Sequence, residues 1–500
     1  MTQPDRLHET QRLHEEGQRL HEEGLSLLEA GRLDEALDRI GRALDLASMR
    51  PLQQTALVVL KTAQLHNSFG AVLVELGHAE AAAASFRIAL VLAPGFAPAW
   101  TNLGSAAVSA SAHGRAIALA PFAADAHANL GALEQRRGRS EAALRRYAAA
   151  VALAPADPRV WSNLGSARYW AGRLDLAGRA FERALALAPG FADGRFHRGL
   201  LRLLLGDYVG GFADYEERRK RRSGIVRLRR AIPGWAGEDP AGKRLLVWGE
   251  QGLGDTIHFA RFVPLLTARG AEVTLAAPRR LVSLLRTLGG VERVQSFEEP
   301  LPAVDLQAPL MSLPHLLGLG AAAAAPLAPY LASPPASAAF VTDGRPLVGL
   351  AWAGSPTNES DAWRSLALER LSPLLALKGL RFVSLQVGPR AADVAAAGLE
   401  GRLETREDLG DFADTAAVVA GLDLVVTVDT ALAHLAGAMG KEAWVMLSHV
   451  PDWRWGMKGE TTPWYPSLRL FRQESPGDWD GVVRRIARAL AARFPGVAGR

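Results

Sequence analysis

A chain whose pattern returns at a short fixed interval has few ways to hide its apolar faces. Here Gly70, Gly104, Gly131, Gly165 and Gly199 are separated by 34, 27, 34 and 34 residues. The triplet Leu-Ala-Pro keeps step with them, at Leu92–Pro94, Leu119–Pro121, Leu153–Pro155 and Leu187–Pro189. The segments around the glycines align as WTNLG, HANLG, WSNLG and FHRGL, and seven residues beyond most of them stands another, at Gly77, Gly138, Gly172 and Gly206. A unit of this length accommodates two helices. Small residues near the centre of the first let the second approach closely, and the proline stops the second. No unit buries its apolar face alone, so successive units must stack. The one short interval follows Gly104, where SAAVSASAHGRAIALAP lacks about two helical turns.

This layout resembles the tetratricopeptide repeat. The resemblance implies a superhelix over residues 24–222, with a concave groove suited to a protein or peptide. An earlier, less regular unit runs from Gly24 to Ala47 and is followed by an insertion. Before it, RLHETQ-RLHEEGQ-RLHEEGL reads as a polar helix over 1–23. Its three near-heptads are few for a coiled coil, so a capping or frayed helix is expected and self-association stays open.

Five hundred residues, 49% of them hydrophobic, allow two to four domains with a sizeable core. The absence of cysteine excludes disulfides, thiolate metal sites and cysteine nucleophiles together. The charged N-terminus has no apolar signal-peptide core, and no uninterrupted apolar run reaches about 18 residues. A cytoplasmic chain without a transmembrane segment is the expectation. The net charge is +5, and its densest basic run is EERRKRRSGIVRLRR, Glu216 to Arg230. Such a run suits nucleic acid or an anionic membrane, or simply a solvated helix end and connector. No aromatic interleaving or nucleic-acid module accompanies it, so no nucleic-acid partner is expected.

After a connector over 223–242 the pattern changes. RLLVWGE, AEVTLAAP and VDLQAP read as strands, with HFARFVPLLTARG and RRLVSLLRTLGG as helices between them, over 243–332. A passage broken by Pro326, Pro329, Pro334 and Pro335 reads as a linker leading to 333–345. A second set over 346–478 carries the strands PLVGLAWAG, RFVSLQVG, LDLVVTV and KEAWVMLS, and a helix closes the chain over 479–500. Apolar strands without alternation argue for parallel sheets covered on both faces. Sites in such sheets lie beyond the carboxyl ends of the strands.

Four segments sit at those ends. In GEQGLGDTIHFARF, Gly249, Gly252 and Gly254 form neither a dinucleotide fingerprint nor a Walker A loop, and Asp255 is placed to cap the helix that follows. In VVTVDTALAHLAGAMG, Asp429 and Thr430 stand where a strand becomes a helix, an end whose amides favour phosphate. His434 follows Thr430 by four residues, one turn further along the same face. In AWAGSPTNESDAWRS, Arg364 and Ser365 follow a polar loop, as a diphosphate contact or a surface ion pair. In PDWRWGMKGETTPWYPSLRLFRQ, Trp453, Trp455, Trp464 and Tyr465 can stack a base or sugar, or pack an irregular segment.

Taken together these segments resemble bacterial proteins that join tetratricopeptide repeats to a GT-B glycosyltransferase domain similar to the heptosyltransferases. That resemblance implies an α plus α/β chain, its repeats followed by two lobes of Rossmann-type parallel sheet. It implies a metal-independent enzyme without cofactor, hexosyl or heptosyl, taking a nucleotide-sugar donor on the C-terminal lobe and a hydroxyl acceptor on the N-terminal lobe. Asp255 matches the family's candidate base, and Asp429, Thr430 and His434 its diphosphate element, with His434 also counted as catalytic. Gly252, Gly254, Thr256, His258, Arg364, Ser365, Trp453 and Trp455 complete the expected binding set. The chain departs from the family's GNP-x-H-x-NDR-x-RS loop at Ser355, Asn358, Ser360 and Ala362 while keeping Asp361 and Arg364. A non-catalytic repeat scaffold with a degenerate nucleotide-binding domain therefore stands as the alternative. A nicotinamide-dependent oxidoreductase does not, because neither lobe carries G-x-G-x-x-G followed by an acid.

Overall fold

The computed structural model describes residues 3–49, 56–220, 232–320, 329–333, 343–356, 358, 361–406 and 409–495. The chain divides into two compact units, Met1–Ala167 and Arg168–Arg500.

Among the described residues the first unit is built of helices and the turns between them. Its helices are α1 (Gln3–Glu29), α2 (Leu33–Ser48), α3 (Ala56–Glu75), α4 (Ala79–Leu92), α5 (Ala97–Ala106), α6 (Ala110–Leu119), α7 (Ala124–Arg136) and α8 (Ser140–Leu153), with α9 (Pro158–Trp170) crossing the division. They pair as hairpins, and the glycine of each first helix is where its partner touches it. A Cβ added at Gly24 would stand 2.5 Å from Ile40 Cγ1, at Gly70 2.5 Å from Phe86 Cε1, and at Gly131 3.1 Å from Tyr147 Cδ1. Each of those partners follows its glycine by 16 residues. In the short unit the partner of Gly104 is His113, nine residues on, so the lost seven residues come from the hairpin tip and spare the contact. The polar N-terminal helix expected over 1–23 is no separate element: α1 runs unbroken into the first hairpin. Among the described residues one stretch, Leu57–Glu75, is long and apolar enough to cross a membrane by length and composition alone. Its Ala63 and Phe69 pack with Phe86 in the repeat core.

The second unit begins with more repeat helices, α10 (Leu174–Leu187), α11 (Ala192–Leu204) and α12 (Tyr208–Tyr215). Two parallel sheets follow. The first contains β1 (Arg244–Trp248), β2 (Glu272–Ala277), β3 (Arg293–Ser296) and β4 (Leu306–Pro309) in the order β3-β2-β1-β4. Leu246 stands opposite both Thr274 and Gln307. Its helices are α13 (Leu253–Ala260), α14 (Val263–Thr267), α15 (Arg279–Leu285) and α16 (Leu313–Leu316).

The second sheet contains β5 (Leu347–Ala351), β6 (Arg381–Ser384), β7 (Leu403–Glu404), β8 (Leu424–Val428), β9 (Ala443–Leu447) and β10 (Leu468–Arg472), in the order β10-β9-β8-β5-β6-β7. Its helices are α17 (Asp361–Arg364), α18 (Ser372–Leu375), α19 (Asp393–Ala396), α20 (Phe412–Ala420), α21 (Ala431–Ala438) and α22 (Trp479–Arg493). All pairings are parallel, and both orders reverse direction at an interior strand, as in doubly wound sheets. In the first sheet the reversal lies between β1 and β4, in the second between β5 and β8. The fully buried strands β5, β8 and β9 carry the unalternated apolar pattern. Strand β3, RVQS, carries one apolar residue and β7 is two residues long, so neither shows an apolar run, and β10 arises from the aromatic segment that also reads as irregular.

The last repeat helices end near residue 220, but their core does not end there. Phe181, Leu203, Phe212 and Tyr215 share one apolar cluster with Val247, Phe259, Ala433 and Trp453. Just beyond α12, Arg218 is 1% exposed: its Nε donates to Glu250 Oε1 at 3.0 Å, and Nη2 bonds Glu250 and, at 2.8 Å, Ser312. Glu250 belongs to the glycine loop after β1 and also accepts from the Met311 amide at 3.2 Å. This overturns the solvated reading for Arg218, which burial and two carboxylates lock inward; residues 221–230 of that basic run lie outside the described residues.

Candidate functional site

The loop after β1 and the junction after β8 meet. Gly254 is the contact point: a Cβ there would lie 2.9 Å from His434 Cδ2 and 3.2 Å from Ala431 Cα. None of Gly249, Gly252 and Gly254 has a positive φ, so at Gly254 the requirement is space rather than a special backbone conformation. Only glycine lets the N-termini of α13 and α21 abut. Their positive dipole ends are thereby brought side by side.

Asp255 is the third residue of α13, and Gly252 takes the cap position expected for it. The Asp255 carboxylate accepts from Arg454 Nη2 at 2.6 Å and remains 28% exposed. Arg454 is 5% exposed and lies in the short turn Trp453–Trp455, its Nη1 donating to Asp452 Oδ1 at 2.9 Å. Its guanidinium stands 4.5 Å from the centre of the Trp453 ring. Asp255 sits deep in the protein body although part of it still meets solvent. That burial pushes its carboxyl above the usual range, the Arg454 charge pulls it back, and Asp452 adds to the rise.

Asp429, at the end of β8, is pushed up to about 6 by burial and the neighbouring Asp452, against the pull of Arg364. Thr430 caps α21, accepting from the Leu432 amide at 3.3 Å, and its hydroxyl also meets Thr427 Oγ1 at 3.2 Å. Arg364 closes α17, 3.8 Å from Asp361, its Nε buried without a partner. Gly354, after β5, makes room for that guanidinium: a Cβ there would stand 2.6 Å from Arg364 Nη2.

Other expected residues serve the framework. Ser365 spends its hydroxyl on Asp361 at 2.6 Å and on the Gly354 amide at 2.9 Å, so it shapes the loop. Thr256, 1% exposed, donates to the Gly252 carbonyl at 3.1 Å. His258 and His434 lie behind the crevice, each with Nδ1 3.0 Å from the hydroxyl of Tyr465. His258 Nε2 is buried without a partner, which puts its proton on Nδ1; Tyr465 then donates to His434. Burial and the nearby arginines depress both rings well below the ordinary histidine range, so each is a neutral core side chain. His434, expected to be catalytic, is 5% exposed and faces Tyr465 and Trp455. Trp453 and Trp455 are 2% and 1% exposed and offer no open face for a base or sugar. Trp455 stacks on His434 at 5.3 Å, and Trp453 packs edge-on against Phe212.

Gly252, Asp255, Arg364, Asp429 and Thr430 of the expected set thus gather around these two helix ends. Arg454 and Asp452 lie outside that set. Their one signal in the sequence is the aspartate two residues before an arginine in PDWRW, a capping pattern that leaves the direction of the guanidinium unspecified. Among the described residues no group of three or more histidines or acids is arranged to hold a metal ion.

The chain carries tetratricopeptide repeats: that family matches residues 128–192. It is 32% identical over 328 residues to Protein FlbA of Caulobacter vibrioides (strain ATCC 19089 / CIP 103742 / CB 15), covering 59% of this chain. The chain spans about half the length of that relative, 54%. Solved structures similar to it include TTC0263, a thermophilic TPR protein in Thermus thermophilus, at 21% identity and TM-score 0.33 over 37% of this chain and 99% of that one. They also include YrrB, described as a TPR protein with an unusual peptide-binding site, at 21% identity and TM-score 0.26 over 32% and 85%.

Proposed function

We propose that the chain is a glycosyltransferase of GT-B type, moving a sugar from a nucleotide-sugar to a hydroxyl on a protein or peptide recruited by the repeats. The observation that carries this reading is the meeting of Asp255 with the Asp429–Thr430 helix end and Arg364 in one crevice, beyond the carboxyl ends of β1, β5 and β8. In the step, the acceptor hydroxyl attacks the anomeric carbon and loses its proton to Asp255. The bond from that carbon to the diphosphate breaks, and the departing charge is met by Arg364, Thr430 and the amides of α21. A donor of this kind fits a cytoplasmic protein.

The scaffold reading has one specific support. Asp255, Asp452 and Asp429 crowd a crevice whose better-buried cation, Arg454, is already shared by two of them. Transfer assays with a panel of nucleotide-sugars separate the readings. Asp255→Ala is expected to lower transfer by about 10²–10⁴-fold, the range of a lost general base, with nucleotide-sugar affinity nearly unchanged. Undiminished turnover removes Asp255 from the step, and binding without any turnover in the unaltered chain favours the scaffold.

A further inference from the structure

Asp255 is held in an unusual way for a group that must accept a proton. Its Oδ1 is bonded by a guanidinium that is itself 5% exposed and whose second nitrogen is bonded to another carboxylate, Asp452. The chain folds so that this is unavoidable. Asp452 caps the turn by accepting from the Arg454 amide at 3.0 Å, and the same Oδ1 accepts from Nη1, so the side chain of Arg454 is folded back over Trp453. From there Nη2 reaches α13 and nothing else among the bonds of the described residues. One fork therefore joins the turn after β9 to the first turn of α13.

The other charged and titratable groups around Asp255 come from several elements. Arg364 stands on α17, Asp429 at the end of β8, His434 on α21, Tyr215 on α12, and His258 on α13 itself. Both histidines are neutral, so the charges that act on Asp255 are Arg454 and Arg364 on one side and Asp452 on the other. A buried carboxylate beside a like charge is ionised only if a cation is held against it.

Resting on the transferase reading, we propose that Arg454 and Asp452 form a positioning dyad for Asp255. Arg454 holds Oδ1 and keeps the carboxylate charged, so that Oδ2, beside the Gly252 backbone, is the oxygen that meets the acceptor hydroxyl, and Asp452 anchors Arg454 from the other side. Arg454 is a positioning residue, since it acts through Asp255. Losing a partner of a buried ion pair weakens any fold, so loss of activity alone decides nothing. The two neighbours, however, act on Asp255 with opposite sign. A base works only when ionised, so the rate falls as the pH drops through its pKa. Arg454→Gln removes the cation that lowers this pKa and moves the acid limb up; Asp452→Asn keeps an oxygen to accept from the Arg454 amide and Nη1 but removes a like charge, and so moves it down.

The experiment follows the Asp255 carboxyl by ¹³C NMR in the full chain labelled at aspartate, assigned by its loss in Asp255→Asn. No substrate is needed. Arg454→Gln is expected to raise the titration by roughly one to two pH units. Asp452→Asn is expected to lower it, and Arg454→Lys, which keeps the charge, to leave it nearest the unaltered chain. With a donor found in the panel, the acid limb of kcat follows the same three shifts while KM for the donor changes less. Shifts in one direction for both neighbours, or none, overturn the proposal. Where Arg454→Gln does not fold, the sign of the Asp452→Asn shift decides: a rise or no change overturns it. If no donor supports transfer yet the titrations move oppositely, the hold on Asp255 stands and the transferase reading falls.

Discussion

At the scale of single residues, Gly254 does more for the site than any of the groups that would touch a substrate. It occupies a point where two helix ends are in van der Waals contact, and a methyl group there must push against a ring carbon and a backbone carbon. Gly254→Ala is expected to cost about 1–3 kcal/mol, as overpacking does in tight cores. It would also part the crevice and weaken any ligand shared between the two ends. Gly252→Ala is the control, since its added carbon meets a single atom, Asp255 Oδ2, at 3.1 Å, and a change at this cap position costs under about 1 kcal/mol. Urea midpoints for the two variants test the contrast; equal losses would mean that the helix ends can slide apart freely.

At the scale of the element, the repeats tolerate a shortened hairpin because each hairpin is tied at its middle rather than at its tip. The short unit keeps the Gly104–His113 contact while α5 and α6 shrink to ten residues each. The tip still bears a mark of the loss. In the other hairpins the second residue past the first helix is glycine with positive φ, at Gly31, Gly77, Gly138, Gly172 and Gly206. In the short unit this place falls to Val108, at φ 51°, among the described residues the one non-glycine residue in that region. A β-branched side chain is poorly suited to the left-handed conformation, by about 1–2 kcal/mol. Val108→Gly is therefore expected to raise the stability of the helical unit by about 1 kcal/mol, less some backbone entropy. Chemical denaturation monitored by far-UV dichroism measures it, and a loss of stability would show that the valine side chain, 52% exposed, is held by something.

At the scale of the whole molecule, the last repeats belong to the core of the sheets. A fragment of residues 157–500 keeps the compact second unit with all of α9 and is expected to unfold in one cooperative step. A fragment of residues 223–500, cut where the repeat pattern fades, removes Phe181, Leu203, Phe212 and Tyr215 from the shared cluster. It also leaves Glu250 buried without Arg218, a loss of about 3–5 kcal/mol by itself in a domain stable by about 5–15 kcal/mol. Broad, non-cooperative melting is the expected outcome for the shorter piece. A sharp transition in 223–500 would show that the repeats and sheets are separable after all.

The sequence by itself determined the period of the helical hairpins, the glycine at each crossing and the parallel character of the sheets. Those features depend on neighbours along the chain or on an apolar pattern that repeats. It also placed Asp255, Asp429 and Thr430 where strands become helices and Arg364 just past a polar loop, because such junctions are local events. Only the tertiary structure decided which junctions meet. It set Trp453, Trp455, His258 and His434 behind the crevice rather than on it, because burial is a property of what packs against a residue and an aromatic ring reads alike in a core and on a platform. It likewise turned Arg218 inward and brought Arg454 to Asp255 across 199 positions of sequence, since an arginine carries no local sign of the distant carboxylate that will hold it.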